Sequence, residues 1–361
     1  MVAEGSYPTT WWHRLDDGRV RCDVCPRACA LREGQRGLCF VRKREGDEIV
    51  LTTYGRSSGF CVDPIEKKPL HHFLPGTPVL SFGTAGCNLA CRFCQNWDIS
   101  KSRDVDTLAD AASPEALGDA AVRLGCRSVA FTYNDPVIFL EYAIDVADAC
   151  RERGIKAVAV TAGYVDPEPG REFFAHMDAA NVDLKAFSEG FYHEVCAGHL
   201  TPVLRTLEHI ASETEVWLEL TTLVIPGLND SDTELGELTK WVVGHLGADV
   251  PMHFTAFHPD WKMRDRLPTP PESLRHARRI AMENGVRYAY TGNVVDPDGR
   301  STRCHGCDAV LVDRDGYEIT SWGLDLGGRC RACGEPCPGV FEAAPGTWGN
   351  RRRPVIMEGA A

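Results

Sequence analysis

Between residues 79 and 290 the chain alternates short apolar runs with longer amphipathic stretches, and this alternation restricts the fold more than any other feature. "VLSF" (79–82), "SVAFTY" (128–133), "KAVAVT" (156–161), "VDLKAF" (182–187), "VWLELTTLV" (216–224), "MHFTAF" (252–257) and "RYAY" (287–290) read as buried strands. The segments 114–124, 137–153, 201–213, 231–246 and 271–284 read as helices. Ser113 precedes Pro114 and Glu115, a capping hydroxyl ahead of a proline at the first helical position. Thr269-Pro270-Pro271-Glu272 is a looser form of the same opening. Strands alternating with helices build a parallel sheet through right-handed crossovers. No G-x-G-x-x-G follows the first strand, which argues against a doubly wound dinucleotide fold. The expected class is therefore α/β, a full or partial parallel β/α (TIM-like) barrel. In such barrels the chemistry sits at the C-terminal ends of the strands.

The sixteen cysteines fall mostly into three groups. No charged n-region followed by an apolar h-region opens the chain, and no run of about eighteen apolar residues occurs. The expected location is the cytoplasm, with no membrane partner; there, thiols serve metals rather than disulfides. A net charge of −12 argues against a broad nucleic-acid-binding surface. Cys87, Cys91 and Cys94 follow the first strand in a loop containing Gly83 and Gly86, which puts them at the mouth of the barrel. Three thiols fit neither a disulfide framework nor a closed four-ligand zinc site. They suit a cubane 4Fe–4S cluster with one iron left unligated.

Cys22, Cys25, Cys29 and Cys39 lie in a turn-rich segment and suit zinc or an auxiliary iron–sulfur cluster. Cys304, Cys307, Cys330 and Cys333 form two C-x2-C pairs 22 residues apart, the spacing of a zinc ribbon, with "RDG" at the hairpin turn. Rubredoxin-like iron uses the same ligands. Cys337 is not counted among them, and Cys61, Cys126, Cys150 and Cys196 read as small buried hydrophobes. The expected division is a Cys-rich segment (1–62), a core barrel (63–292) and a C-terminal zinc-ribbon-like metal-binding module (293–361).

The C-x3-C-x2-C loop after a first barrel strand, with Phe93 just before the third cysteine, resembles the radical S-adenosylmethionine (SAM) superfamily. "CDVCPRACALREGQRGLCFVR" (22–42), "DPIEKKPLHHFLPGTPVLSFGTAGCNLACRFCQNW" (63–97), "FTYNDP" (131–136) and "FHPDWKM" (257–263) are similar to one subgroup, the radical SAM enzyme of the AmmeMemoRadiSam system, related to pyruvate formate-lyase activating enzymes. The resemblance spans nearly the whole chain. It implies that Cys87, Cys91 and Cys94 hold a 4Fe–4S cluster whose open iron takes the amino and carboxylate groups of SAM. Reductive cleavage then yields a 5′-deoxyadenosyl radical for hydrogen abstraction from an unknown substrate.

It further implies that Asn134 and Asp135, at the second strand end, accept from the SAM ammonium, with Asp135 standing where related proteins often carry the longer Glu. A plain turn before Pro136 is the alternative. Asp183 and Lys185 share a strand face and are placed near the SAM ribose and carboxylate, or else pair with each other. His258 is placed near the adenine, with a merely exposed loop histidine as the alternative. Lys67 and Lys68, followed by His71 and His72, meet an anionic substrate or SAM, or are solvated charge. No residue is assigned as catalytic. The implied partners are SAM, a low-potential flavodoxin or ferredoxin and other AmmeMemoRadiSam proteins. A glycyl-radical activase is the alternative within enzymes, and a zinc-dependent scaffold or regulator the alternative outside them.

Overall fold

The computed structural model describes residues 6–101 and 110–357. Its main sheet has nine strands. They are β1 (Phe60–Pro64), β2 (Pro78–Phe82), β3 (Ser128–Phe131), β4 (Lys156–Thr161), β5 (Ala179–Asp183), β6 (Trp217–Val224), β7 (Met252–Ala256), β8 (Ala289–Gly292) and β9 (Arg353–Val355). Strands β2 to β8 pair in parallel and in chain order. β1 runs antiparallel to β2, and β9 antiparallel to β1. β8 and β9 are the two edges, so the barrel is partial.

Helices α1 (Pro114–Arg123), α2 (Leu140–Arg151), α3 (Pro167–Ala175), α4 (Leu200–Glu213), α5 (Asp232–His245) and α6 (Pro271–Glu283) lie between the parallel strands in sequence. β3 is buried along its whole length, as a parallel strand covered on both faces must be. The cap at Ser113 forms as expected, its hydroxyl accepting from the Ala116 amide at 3.2 Å.

Two local expectations need correcting. β5 covers Ala179–Asp183, not 182–187. Leu184 and Ala186 remain buried in the loop that follows, so the alternating pattern outlasts the strand. α3 was not expected, because "PEPGREFFA" carries two prolines and a glycine. Both prolines sit in the first turn, where the amides have no intrahelical partner to lose.

The C-terminal segment is not a detached module. Strands Val310–Asp315 and Glu318–Trp322 form the expected hairpin, turning at Gly316 with φ 62°. From there the chain returns to the barrel. Val340 bridges to Phe73, and Arg314 Nη2 donates to the His71 carbonyl at 2.7 Å. The Pro338 carbonyl lies 2.7 Å from His72 Nδ1, and β9 joins the main sheet. That sheet therefore crosses both expected divisions, at 62/63 and at 292/293.

Residues 65–77, between β1 and β2, run through the barrel interior. The Pro69 carbonyl accepts from Asn181 on β5, and His71 and His72 donate their amides to Glu219 on β6. The Glu219 carboxylate is fully buried. Oε1 accepts from His72 N at 2.7 Å and Trp217 Nε1 at 3.0 Å, while Oε2 meets His71 N at 2.9 Å and His253 Nε2 at 2.7 Å.

Candidate active site

The loop after β2 is held from two sides. Its Gly86 has φ 84°, and a Cβ there would collide with the Cys39 carbonyl, so the N-terminal cysteine segment packs directly behind it. On the other side the Asn134 carboxamide accepts from Thr84 N at 3.1 Å and donates to the Gly86 carbonyl at 2.9 Å. Tyr133, just before it, has φ 72°, a left-handed conformation that a tyrosine keeps only where its surroundings enforce it. Further along, Ala90 N and Arg92 N donate to the carbonyls of Cys196 and Val195, each at 2.9 Å.

So braced, the loop turns Cys87, Cys91 and Cys94 into a cavity of about 750 Å³ at the C-terminal strand ends. This is where a barrel of this type places its chemistry. Burial pushes the Cys87 thiol up to about 12 and raises Cys94. Cys91 is lowered to about 6, first by a hydrogen bond from the Cys196 thiol and then, against its burial, by the charges of Lys185 and Lys101. Thiols this buried ionise readily only beside positive charge, which cluster iron supplies. Three cysteines from one loop, facing one cavity, are a donor set that fits an iron–sulfur cluster.

The other expected contacts divide. Asp135 lines the cavity, but its carboxylate is engaged: Oδ1 accepts from Thr161 Oγ1 at 2.9 Å and Val137 N at 3.2 Å, and Oδ2 from Ala162 N at 3.0 Å. Three donors leave one of about four lone-pair positions. Asp183 and Lys185 both line the cavity and pair with each other at 2.8 Å. Burial opposes the Lys185 charge, yet Asp183 and the thiols of Cys91 and Cys196 hold its pKa well above the ordinary value. His258 is exposed and lies outside the cavity wall. Its loop acts through other residues: Asp260 Oδ1 accepts from Trp97 Nε1 at 3.1 Å, and Trp261 stacks near Lys101.

Cys22, Cys25, Cys29 and Cys39 line a separate, small apolar pocket of about 20 Å³ behind the cluster loop. Burial pushes Cys22 up to about 12 and raises Cys25 and Cys39. The sulfurs of Cys304, Cys307, Cys330 and Cys333 all lie within 4.8 Å of one another, a convergence that suits one tetrahedral ion. Cys337 stands apart from them, 3.8 Å from His72 Nδ1.

Sequence reading missed four members of the cavity wall or its support. Cys61 is buried as expected but also lines the cavity, and Tyr317 and Arg352 bring the C-terminal segment into the wall. Tyr133 donates its hydroxyl to Asp63 at 2.8 Å. The signal for Tyr317 was its place beside the hairpin turn; nothing in the sequence announced Arg352.

A parallel β/α barrel with three cysteines on the loop after its first parallel strand defines an iron–sulfur barrel enzyme. Residues 82–238 match the model of the Radical SAM superfamily. The chain is 38% identical to an uncharacterised protein of Methanocaldococcus jannaschii, over 90% of this chain and 97% of that one. It is 22% identical to the pyruvate formate-lyase-activating enzyme of Clostridium pasteurianum, over 50% of this chain and 80% of that one. A radical SAM methyltransferase from Sphaerobacter thermophilus aligns at TM-score 0.48 and 14% identity, over 80% of this chain and 76% of that one. The chain belongs to the radical SAM superfamily, whose members are enzymes that cleave SAM at a 4Fe–4S cluster. No helix among the described residues is long and apolar enough to cross a membrane.

Proposed function

We propose that Cys87, Cys91 and Cys94 hold the 4Fe–4S cluster, and that the cavity they face admits SAM and a substrate that loses a hydrogen atom. When bound, the cluster supplies the electron that splits SAM into methionine and a 5′-deoxyadenosyl radical. The observation that carries this reading is that three thiols from one braced loop, Cys91 buried and Cys87 and Cys94 half-buried, face a single cavity. Asn134 fixes the loop through its backbone. Asp135 offers its remaining acceptor position to the SAM ammonium, and the Asp183–Lys185 pair flanks the ribose and carboxylate. A cytoplasmic flavodoxin or ferredoxin supplies the electron, and other AmmeMemoRadiSam proteins are the partners the subgroup resemblance suggests. The four N-terminal thiols hold zinc or an auxiliary cluster, and the C-terminal four hold zinc.

The test is anaerobic reconstitution followed by dithionite reduction in the presence of SAM. Methionine and 5′-deoxyadenosine should appear in equal amounts. A protein loaded with cluster iron that forms neither would overturn the reading.

Asp135→Ala is expected to leave cluster iron unchanged while weakening SAM binding. A charge-assisted hydrogen bond is worth roughly 1.5–3 kcal/mol, so affinity should fall about ten- to a hundredfold. Equal SAM affinity in parent and variant would reduce Asp135 to a turn residue.

Similarity to two activating enzymes, of Clostridium pasteurianum and of Thauera aromatica, favours a second reading, in which the substrate is a backbone glycine of a partner protein. Mixing the reduced enzyme and SAM with a candidate glycyl-radical protein, and looking for a protein-borne organic radical, distinguishes the two.

A further inference from the structure

We propose that the wall formed by the start of segment 65–77, Tyr133 and the approach to β9 binds an anionic oxygen group of the substrate, a carboxylate or a phosphate. This deepens the reading above and rests on the cavity being the radical SAM site. Three cations gather around one carboxylate. Asp63 Oδ1 accepts from Lys67 Nζ at 2.9 Å, with Arg352 Nε at 3.9 Å, and Oδ2 accepts from Lys68 Nζ at 2.6 Å. The Tyr133 hydroxyl takes a second position on Oδ2, and the Lys68 ammonium lies 4.7 Å from the Tyr133 ring centre.

The arrangement is directional. Lys67, Lys68, Arg352 and Tyr133 line the cavity, whereas Asp63 sits behind them, fully buried. The wall therefore presents an excess of two positive charges to the space in front of it. Each ammonium spends one of its three donors on Asp63 and keeps the others. Arg352, attached to the strand that closes the sheet edge, brings a planar fork suited to carboxylate or phosphate. In a chain of net charge −12, a cation cluster of this kind is a local construction.

The cations beside the cysteines are different ones. Lys185 and Lys101 act on Cys91, and Lys185 is already paired with Asp183. Lys67 and Lys68 act instead on Asp63, and Arg352 on Cys61 and, more weakly, Asp63. The left-handed backbone of Tyr133 fits the same account, since it delivers the ring and hydroxyl that hold Asp63 and Lys68 in register.

The test uses the reconstituted holoprotein with SAM bound, titrated by calorimetry with inorganic phosphate and, in a parallel arm, with succinate. At least one anion should bind saturably. Its affinity should fall about tenfold or more in Lys67→Gln and in Arg352→Gln, because each change removes a charge-assisted contact. Lys67→Arg should retain it. Phosphate binding without succinate binding identifies a phosphate-bearing substrate, and the converse a carboxylate. Lys67 and Arg352 are chosen because they are partly exposed, whereas removing buried Lys68 would strand a buried carboxylate. Absence of binding by both anions, or equal affinity in parent and Gln variants, overturns the proposal. So does a loss of SAM affinity in the Gln variants, which would assign the cations to SAM. Heat of anion binding is read independently of SAM cleavage, so a parent protein that forms no 5′-deoxyadenosine sinks the radical reading and leaves this result legible.

Discussion

Cys91→Ala is expected to abolish 5′-deoxyadenosine formation, whereas Cys196→Ala, one thiol away, should leave it in place. The contrast separates a three-thiol site from a four-thiol one. Cys91 faces the cavity with Cys87 and Cys94, while Cys196 is completely buried and lies outside the cavity wall. The turn carrying Cys196 supports the cluster loop through main-chain carbonyls, which accept from Ala90 and Arg92 whatever the side chain. Losing the Cys196 sulfur therefore removes a neighbour of Cys91 without loosening the loop. Losing Cys91 removes one of the three thiols proposed to hold the cluster. Outer partners of metal ligands are worth at most about 10- to 100-fold, so Cys196→Ala should keep measurable activity while the fall for Cys91→Ala exceeds about a hundredfold. Iron content and 5′-deoxyadenosine, measured by chromatography on both reconstituted variants, decide the matter. Full activity in Cys91→Ala would sink the three-thiol assignment, and equal iron loss in Cys196→Ala would make the site four-coordinate.

The parts of this protein legible from sequence are those dictated by local periodicity and spacing. β2, β4, β6 and β7 lie within a residue or two of the apolar runs that announced them, because buried parallel strands have little freedom in composition. The ribbon cysteines could be paired by spacing because a knuckle is a local structure. Asn134 shows where this legibility stops. Its position at a strand end was readable, but not that its carboxamide would be spent on the backbone of residues 84–86. That contact spans fifty positions and depends on the curvature of the loop. The cation wall was half legible. Lys67 and Lys68 stand out in "DPIEKKPLHHF", but Arg352 comes from nearly three hundred residues away, delivered by a short edge strand with no pattern of its own. Glu219 was visible all along as the one charged residue inside "VWLELTTLV". Its inward parity beside Thr221 and Leu223, which line the cavity, marks it as a buried charge with several partners.

Glu219→Ala should then be among the most destabilising single substitutions in the chain, costing about 3–5 kcal/mol by the loss of one partner from a buried charged network. The carboxylate receives four donors, two of them the main-chain amides of His71 and His72. Burial raises its pKa, but His253, His72 and Trp217 outweigh this and hold it below the ordinary value. Glu219 therefore adds stability above the usual carboxylate range, which is lost as pH falls through its folded value. Its neighbours titrate too. Burial lowers His71 well below 6.5 and His72 to about 4, so the unfolded chain takes up two protons first as pH falls from neutral. Burial raises Glu66 to about 7, so there the folded state takes up one proton first. Among these three groups the balance is one proton in favour of the unfolded chain between about pH 6 and 5, so together they lower stability by about 1.4 kcal/mol per pH unit as pH falls. Glu219→Gln keeps the shape but presents N–H groups to some of the same donors, so it should fall between parent and alanine. Because His71 and His72 follow Lys67 and Lys68 on one segment, the damage should reach the cation wall before the cysteine loop. Urea unfolding at fixed metal loading, at pH 7 and pH 5, measures both effects. An alanine variant within about 1 kcal/mol of the parent, well below what a stranded buried network costs, would show that Glu219 does not hold the barrel interior together.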